Sequence, residues 1–216
     1  MIFSVKTEWP VALDSPDTLA PWGIFRDNTK SDNFFQDIEN FFKRKITYLD
    51  CGIAGGKLVT QAIESGHNAC GLEGSNYWCD KLDQDCDQAR QWKQYYGKNF
   101  FTCDISRPFE IVDENNTIVQ FDVITAWEVC EHLKTERLNI FIENIKKHLK
   151  SEGIFVGSIS MNNDGSSGCE LHQSIFSQEK WYTIFQKYFE IEENNKFARV
   201  REENNSFHIL MKNKCQ

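Results

Sequence analysis

Several acids and two histidines sit where chemistry is readily built. Asp50, Glu73 and Asp104 each close a short apolar run, and Glu128 follows a fourth, Phe121-Asp122-Val123-Ile124-Thr125-Ala126-Trp127. After Asp50 comes Cys51-Gly52-Ile53-Ala54-Gly55-Gly56-Lys57, a turn with little bulk that lets backbone approach a ligand closely. His132 ends the stretch Glu128-Val129-Cys130-Glu131-His132, and His172 lies beyond a glycine-rich segment at residues 162–168. An imidazole at either place can act as general base toward an acceptor hydroxyl. The plainer readings are that His132 caps its loop or packs on the next helix, and that His172 is a surface-loop residue.

The carboxylate beside the turn narrows the ligand. A loop built for a dinucleotide pyrophosphate avoids an acid at its mouth, because like charges in a partly dry site repel strongly. The G-x-G-x-x-G fingerprint also fails, since counting from Gly52 puts Ala54 and Lys57 on its second and third glycines. A nicotinamide-dependent oxidoreductase is therefore disfavoured. A cationic ligand suits Asp50 better, and S-adenosylmethionine carries an ammonium and a sulfonium with no phosphate. Glu73 at a second strand tip is placed to accept from a ribose diol, and Asp104 at a third to receive the adenine amino group.

These groups need strand ends that meet along one edge. Ile46, Tyr48 and Leu49 predict a buried strand entering the turn, and residues 59–66 a helix ending in glycine. Further strands are expected at residues 67–73, 99–104, 121–127 and 154–159. Leu138, Phe141, Ile142, Ile145 and Leu149 mark an amphipathic helix over residues 137–150, with Gly153 as its terminator. Trp181, Ile184, Phe185 and Phe189 predict a helix from Ser177, followed by strands at residues 188–193 and 206–212. Phe34, Ile38, Phe41 and Phe42 form a stripe on a helix over residues 33–43, capped by Ser31 or Asp32. Residues 1–33 lack clean periodicity, yet Trp9, Trp22, Ile24 and Phe25 are too apolar for a free tail.

Taken in order, LDCGIAGG, GLEGS, CDIS, FDVITAWEVCEHL and LKSEGIFVGSIS resemble the motifs of class I S-adenosylmethionine-dependent methyltransferases, over roughly residues 45–212. Ala54 departs from the family's D-x-G-x-G-x-G, and its methyl group fits if φ is negative. The resemblance implies an α/β, Rossmann-like fold: a seven-stranded, mostly parallel sheet in order 3-2-1-4-5-7-6, last strand antiparallel, helices on both faces. It implies cofactor contacts from Asp50, Cys51, Gly52, Ala54, Gly56, Glu73, Gly74, Asp104, Ile105 and Trp127. His132, His172 and Glu128 become the catalytic candidates. Trp78 and Trp127 are either stacking partners or core. The E-x-x-E-H pattern of Glu128, Glu131 and His132 is similar to that of quinone-biosynthesis O-methyltransferases, some of which use a metal. The leader resembles DSPD…PWG…DN segments of phage and bacterial methyltransferase-like proteins, which makes Asp14, Asp17, Trp22 and Asp27 substrate-side candidates.

Composition sets the outer bounds. The 216 residues divide into a lid-like segment, 1–33, and one domain, 34–216. A net charge of −8 argues against a nucleic-acid partner, and no apolar run is long enough for a membrane span. The basic runs at Lys43-Arg44-Lys45 and at Lys146, Lys147, His148 and Lys150 read as solvated helix ends. Of eight cysteines, Cys51, Cys70, Cys103 and Cys130 fall in core strands and no C-x-x-C occurs, which fits reduced thiols in the cytoplasm. The expected activity is methyl transfer to a small molecule, with oxygen favoured as acceptor atom. A non-catalytic cofactor-binding partner and a methyltransferase acting on protein are the alternatives. Neither the acceptor nor the oligomeric state is written in the motifs.

Overall fold

The computed structural model describes residues 1–26, 29–163, 170–192, 197, 200 and 205–214, and of Trp22 the backbone only. Its centre is β2 (Thr47–Cys51), buried along its whole length. A strand covered on both faces reads as a continuous apolar run, and Tyr48 and Leu49 supply the two sides. It pairs in parallel with β3 (Asn68–Glu73) on one flank and β6 (Phe121–Trp127) on the other. β4 (Phe100–Thr102), β7 (Leu149–Ser160), β8 (Phe189–Ile191) and β9 (Ser206–Asn213) complete a sheet in the order β4-β3-β2-β6-β7-β9-β8. Numbered within this sheet alone, that is the expected 3-2-1-4-5-7-6, with β9 antiparallel to both neighbours.

A second sheet was not foreseen. β1 (Ser4–Thr7) runs antiparallel to β5 (Phe109–Val112), with Ser4 opposite Val112. Alternating partial burial along a four-residue strand leaves too little pattern to read from sequence. The pairing anchors the leading segment, and Phe3 stacks on Phe121 at 6.1 Å.

Helices cover both faces. α1 (Pro16–Leu19) and α2 (Trp22–Arg26) lie in the leader, and α3 (Asp32–Phe42) starts where Ser31 Oγ accepts from Phe34 N. Its buried residues are Phe34, Phe35 and Ile38, whereas Phe41 stays exposed, so the core stripe is rotated from the expected one. α4 (Lys57–Glu64) follows the turn directly, and α5 (Asp87–Tyr95) packs Trp92 into the core. α6 (Leu138–His148) and α7 (Gln178–Phe185) cover the other face through Phe141 and Trp181. Gly153 does not end α6. It lies inside β7, where a Cβ would approach Phe121 O to 2.9 Å, so the lack of a side chain allows the strands to close.

The basic runs are also structural. Arg44 and Lys150 converge on the buried Asp122 at 2.6 and 3.0 Å, at the opposite end of β6 from the glycine turn. His148 is wholly buried, stacked on Phe109, with Nδ1 2.8 Å from Val119 O. Cys51, Cys70, Cys103 and Cys130 are buried, and the described cysteines are free thiols. Trp78 is core, its Nε1 donating to Ile24 O. No described helix is long and apolar enough to cross a membrane.

The turn after β2 departs from expectation at one residue. Ala54 has φ +44°, not a negative value. Gly56 has φ +84°, and the Phe100 ring comes within 2.2 Å of where its Cβ would stand. Left-handed backbone costs an L-residue about 1–2 kcal/mol. Ala54→Gly should therefore raise stability in urea titrations by about 1 kcal/mol or less, because glycine's greater unfolded-state entropy offsets part of the relief. Gly56→Ala should lower it by about 2 kcal/mol or more, since strain and overpacking add.

Candidate active site

The carboxyl ends of β2, β3, β4 and β6 open into a cavity of about 1050 Å³. Small-molecule sites commonly span about 300–1,000 Å³, so this one has room for two ligands side by side. Each strand contributes the residues just past its end. Gly52 and Ala54 follow β2, Glu73 and Gly74 close β3, Asp104 and Ile105 follow β4, and Trp127 and Glu128 follow through from β6. The leader supplies Asp14 and Asp17, and His132 and His172 form the far wall.

Some expected contacts are elsewhere. Asp50 is buried beneath the floor, and its Oδ1 accepts from Thr125 Oγ1 at 2.6 Å. Tyr48 OH lies 2.7 Å from the same Thr125 oxygen, so a buried relay holds the acid from below. Cys51 is fully buried in the core and is not part of the cavity lining. Gly56 serves the turn and the start of α4 against Phe100 rather than the cavity wall. The Trp22 side chain and Asp27 lie outside the described residues.

Glu73 is the hinge between turn and sheet. Its Oε2 accepts from Ala54 N at 2.7 Å and its Oε1 from Ser75 N at 3.1 Å. Burial pushes its carboxyl up to about 7, against the pull of those donors. Asp104 accepts from Ser106 N and Oγ, with Arg137 Nη1 3.8 Å from its other oxygen. Asp14 lines the cavity, but Arg137 holds both its oxygens at 3.0 and 2.6 Å and Lys134 reaches one at 2.9 Å. Those cations hold its carboxyl far below the usual range, and their three bonds tie Asp14 to the segment around Lys134 and Arg137.

At the far wall, Glu128 has φ +55°, donates its N–H to Ser158 O and accepts from Ser206 Oγ through Oε2. A non-glycine residue held there marks a position the fold over-determines. Glu131 is fully buried on a 3₁₀ turn, Cys130–His132, with Oε1 taking the Ser160 N–H at 2.7 Å. Burial raises its carboxyl well above the ordinary value, while His132 draws it back. For His132 burial disfavours the charge, but the Asp17 hydrogen bond at 2.8 Å and the Glu131 and Glu128 carboxylates prevail and raise the ring. The His132 and His172 rings meet edge to face, 4.7 Å between centroids.

The methyltransferase-domain family profile matches residues 26–203. The chain belongs to that family. No curated protein gave a match. Among solved structures, a Burkholderia thailandensis 1,6-didemethyltoxoflavin-N1-methyltransferase, with that compound and S-adenosylhomocysteine bound, is 14% identical. The alignment covers 92% of this chain and 84% of that one at a TM-score of 0.58. A Clostridium acetobutylicum S-adenosylmethionine-dependent methyltransferase is 15% identical over 83% and 89%, at 0.57. A TehB-like enzyme of that type from Corynebacterium glutamicum is 18% identical over 83% and 86%, at 0.54. At these identities the likeness is one of fold.

Within this methyltransferase, sequence reasoning missed Arg137, Thr125 and Ser106. Arg137 and Thr125 carry no local signature, because each is defined by an acid it meets across the fold, whereas Ser106 bonds Asp104 two residues before it, a local Asp-x-Ser signal. In the sequence Arg137 reads as an ordinary charged residue at the start of a helix.

Glu73 gives a pH-dependent prediction. Its unfolded carboxyl ionises near 4.5 and its folded one only near 7, so the unfolded chain binds fewer protons in that window. Its contribution to stability should be full below the lower value and be lost as pH rises to the upper. Thermal melts of the wild type compared with Glu73→Gln across pH 4–8 should show this decline in the wild type only.

Proposed function

We propose that this methyltransferase moves the methyl group of S-adenosylmethionine to an oxygen of a small-molecule acceptor. The observation that carries the reading is one cavity at four parallel strand ends, with acids along the strand tips and a histidine-lined far wall. In open α/β sheets that crevice is where ligands bind. The solved relatives named with S-adenosylhomocysteine or as S-adenosylmethionine-dependent favour the same cofactor.

Gly52, Ala54, Glu73, Gly74, Asp104, Ile105 and Trp127 are assigned to the cofactor. Glu73 receives the ribose hydroxyls, and Asp104 faces the adenine end. Asp50 acts on the ammonium end through the turn it supports. The reaction is an in-line displacement: the acceptor oxygen bonds the methyl carbon, the C–S bond breaks, and its electron pair stays on sulfur. The protein's share is orientation and exclusion of water. A hydroxyl must also lose its proton, and Glu128, His132 and His172 are the groups at that end able to manage it. The leader closes the acceptor side, with Asp17 rather than Asp14 nearest the chemistry. We read the protein as acting in the cytoplasm, and its acceptor as a neutral or cationic small molecule, since acids outnumber cations around the cavity.

Calorimetry with S-adenosylhomocysteine is expected to show one site per chain with affinity well below millimolar. Glu73→Gln should weaken it about tenfold or more, because a charge-assisted bond of about 1.5–3 kcal/mol is lost. No heat at millimolar ligand would overturn the assignment, and a product methylated on nitrogen would overturn the choice of oxygen.

A further inference from the structure

We propose that Glu131, His132 and His172 bind one divalent transition-metal ion at the far wall of the cavity. The inference rests on reading this cavity as the methyl-transfer site. One ligand atom from each of the three residues lies within 4.8 Å of the others, although His172 is far from the other two in sequence. A single ion bonded at about 2.0–2.2 Å to each group needs the ligand atoms somewhat closer than that limit, a closure that small side-chain rotations supply.

Two further features point to a cation. Glu131 is fully buried, and its Oε2 has no hydrogen-bond partner, while Oε1 is held by Ser160 N. A buried carboxylate oxygen left unpaired is costly, and a metal ion removes that cost. The second feature lies behind the rings. His172 Nδ1 is 2.7 Å from the Asn162 carbonyl, so it must carry the proton and donate. His132 Nδ1 faces the Asp17 carboxylate at 2.8 Å and donates in the same way. With Nδ1 donating in both rings, Nε2 is the nitrogen left to bind an ion, which displaces any proton held there. Metal-binding histidines are commonly oriented by an outer carboxylate or carbonyl of this kind.

Two imidazoles and one carboxylate leave open coordination positions and suit first-row ions such as Mn²⁺, Fe²⁺ or Co²⁺ over calcium. The ligand set differs from the one the sequence pattern offered. His172 replaces Glu128, whose Oε2 is engaged by Ser206. Glu128 Oε1 is buried without a partner at the same wall. An acceptor hydroxyl seated on the ion has its pKa lowered. It gives its proton to Glu128, and the resulting oxygen forms the bond to the methyl carbon as the C–S pair returns to sulfur.

The test is Mn²⁺ binding to EDTA-treated protein, read by loss of the free-ion electron paramagnetic resonance signal, with S-adenosylhomocysteine calorimetry beside it. Mn²⁺ is chosen because the free thiols compete for softer ions. One site per chain is expected. His172→Ala and Glu131→Gln should weaken it at least 100-fold, and Asp17→Asn about 10-fold or more, since outer-shell losses run about 10–100-fold. Cofactor binding should persist in His172→Ala and Asp17→Asn, which guards against misfolding of the buried Glu131 variant. Absence of Mn²⁺ binding with cofactor binding intact overturns the metal site, as does binding that survives His172→Ala unchanged. Mn²⁺ bound at these residues without cofactor binding upholds the site and overturns the cofactor reading instead.

Discussion

Glu73 ends β3 almost out of contact with water and accepts the N–H groups of Ala54 and Ser75. That pair of bonds ties the turn after β2 to the tip of the neighbouring strand. Remove it and the turn loses the partner that fixes its backbone, along with the acid beside it. The same constraint repeats along the edge. Asp50 is held by Thr125 and Asp104 by Ser106, while Glu131 takes the Ser160 N–H. Burying a carboxylate is tolerable only where donors replace its water; Glu73, Asp50 and Glu131 each take one from another strand or loop, while Asp104 takes its own from two residues on.

The leading segment completes this edge by backbone as well as by charge. Ala12 N donates to Gly74 O and Asp104 N to Trp9 O, so the leader lies along two strand ends. Asp14 fastens it to Lys134 and Arg137, and Asp17 to His132. Individual exposed ion pairs contribute little, but Arg137 is mostly covered and meets Asp14 through two parallel bonds. The wall of the cavity is therefore made by residues from both ends of a long stretch of chain.

Strain collects in the same place. Ala54 and Glu128 both have positive φ without being glycine, and both line the cavity. Each is held through its N–H, Ala54 N donating to the Glu73 carboxylate and Glu128 N to Ser158 O. Gly52 shares the crowding, since a Cβ there would meet Val129 at 2.5 Å.

The local sequence determined the strands of the larger sheet, their order of appearance and the acids at or just past the tips of β2, β3, β4 and β6. Apolar runs ending in Asp or Glu are visible residue by residue, and burial on both faces demands them. Helix ends were legible to within a few residues where Ser31 or Ser177 caps, and less so at α6, where Gly153 proved to be part of the next strand. The β1–β5 pairing, the rotation of the α3 stripe and the sign of φ at Ala54 were not legible, because each is set by what packs against it. The meeting of Asp17, His132 and His172 belongs to the same class. Residues 115 apart came within hydrogen-bond reach only because the leader is pinned across the strand ends. Hydrophobic period and turn chemistry act over a few residues, so they position each acid on its own strand. Which partner that acid finds is a property of the closed fold.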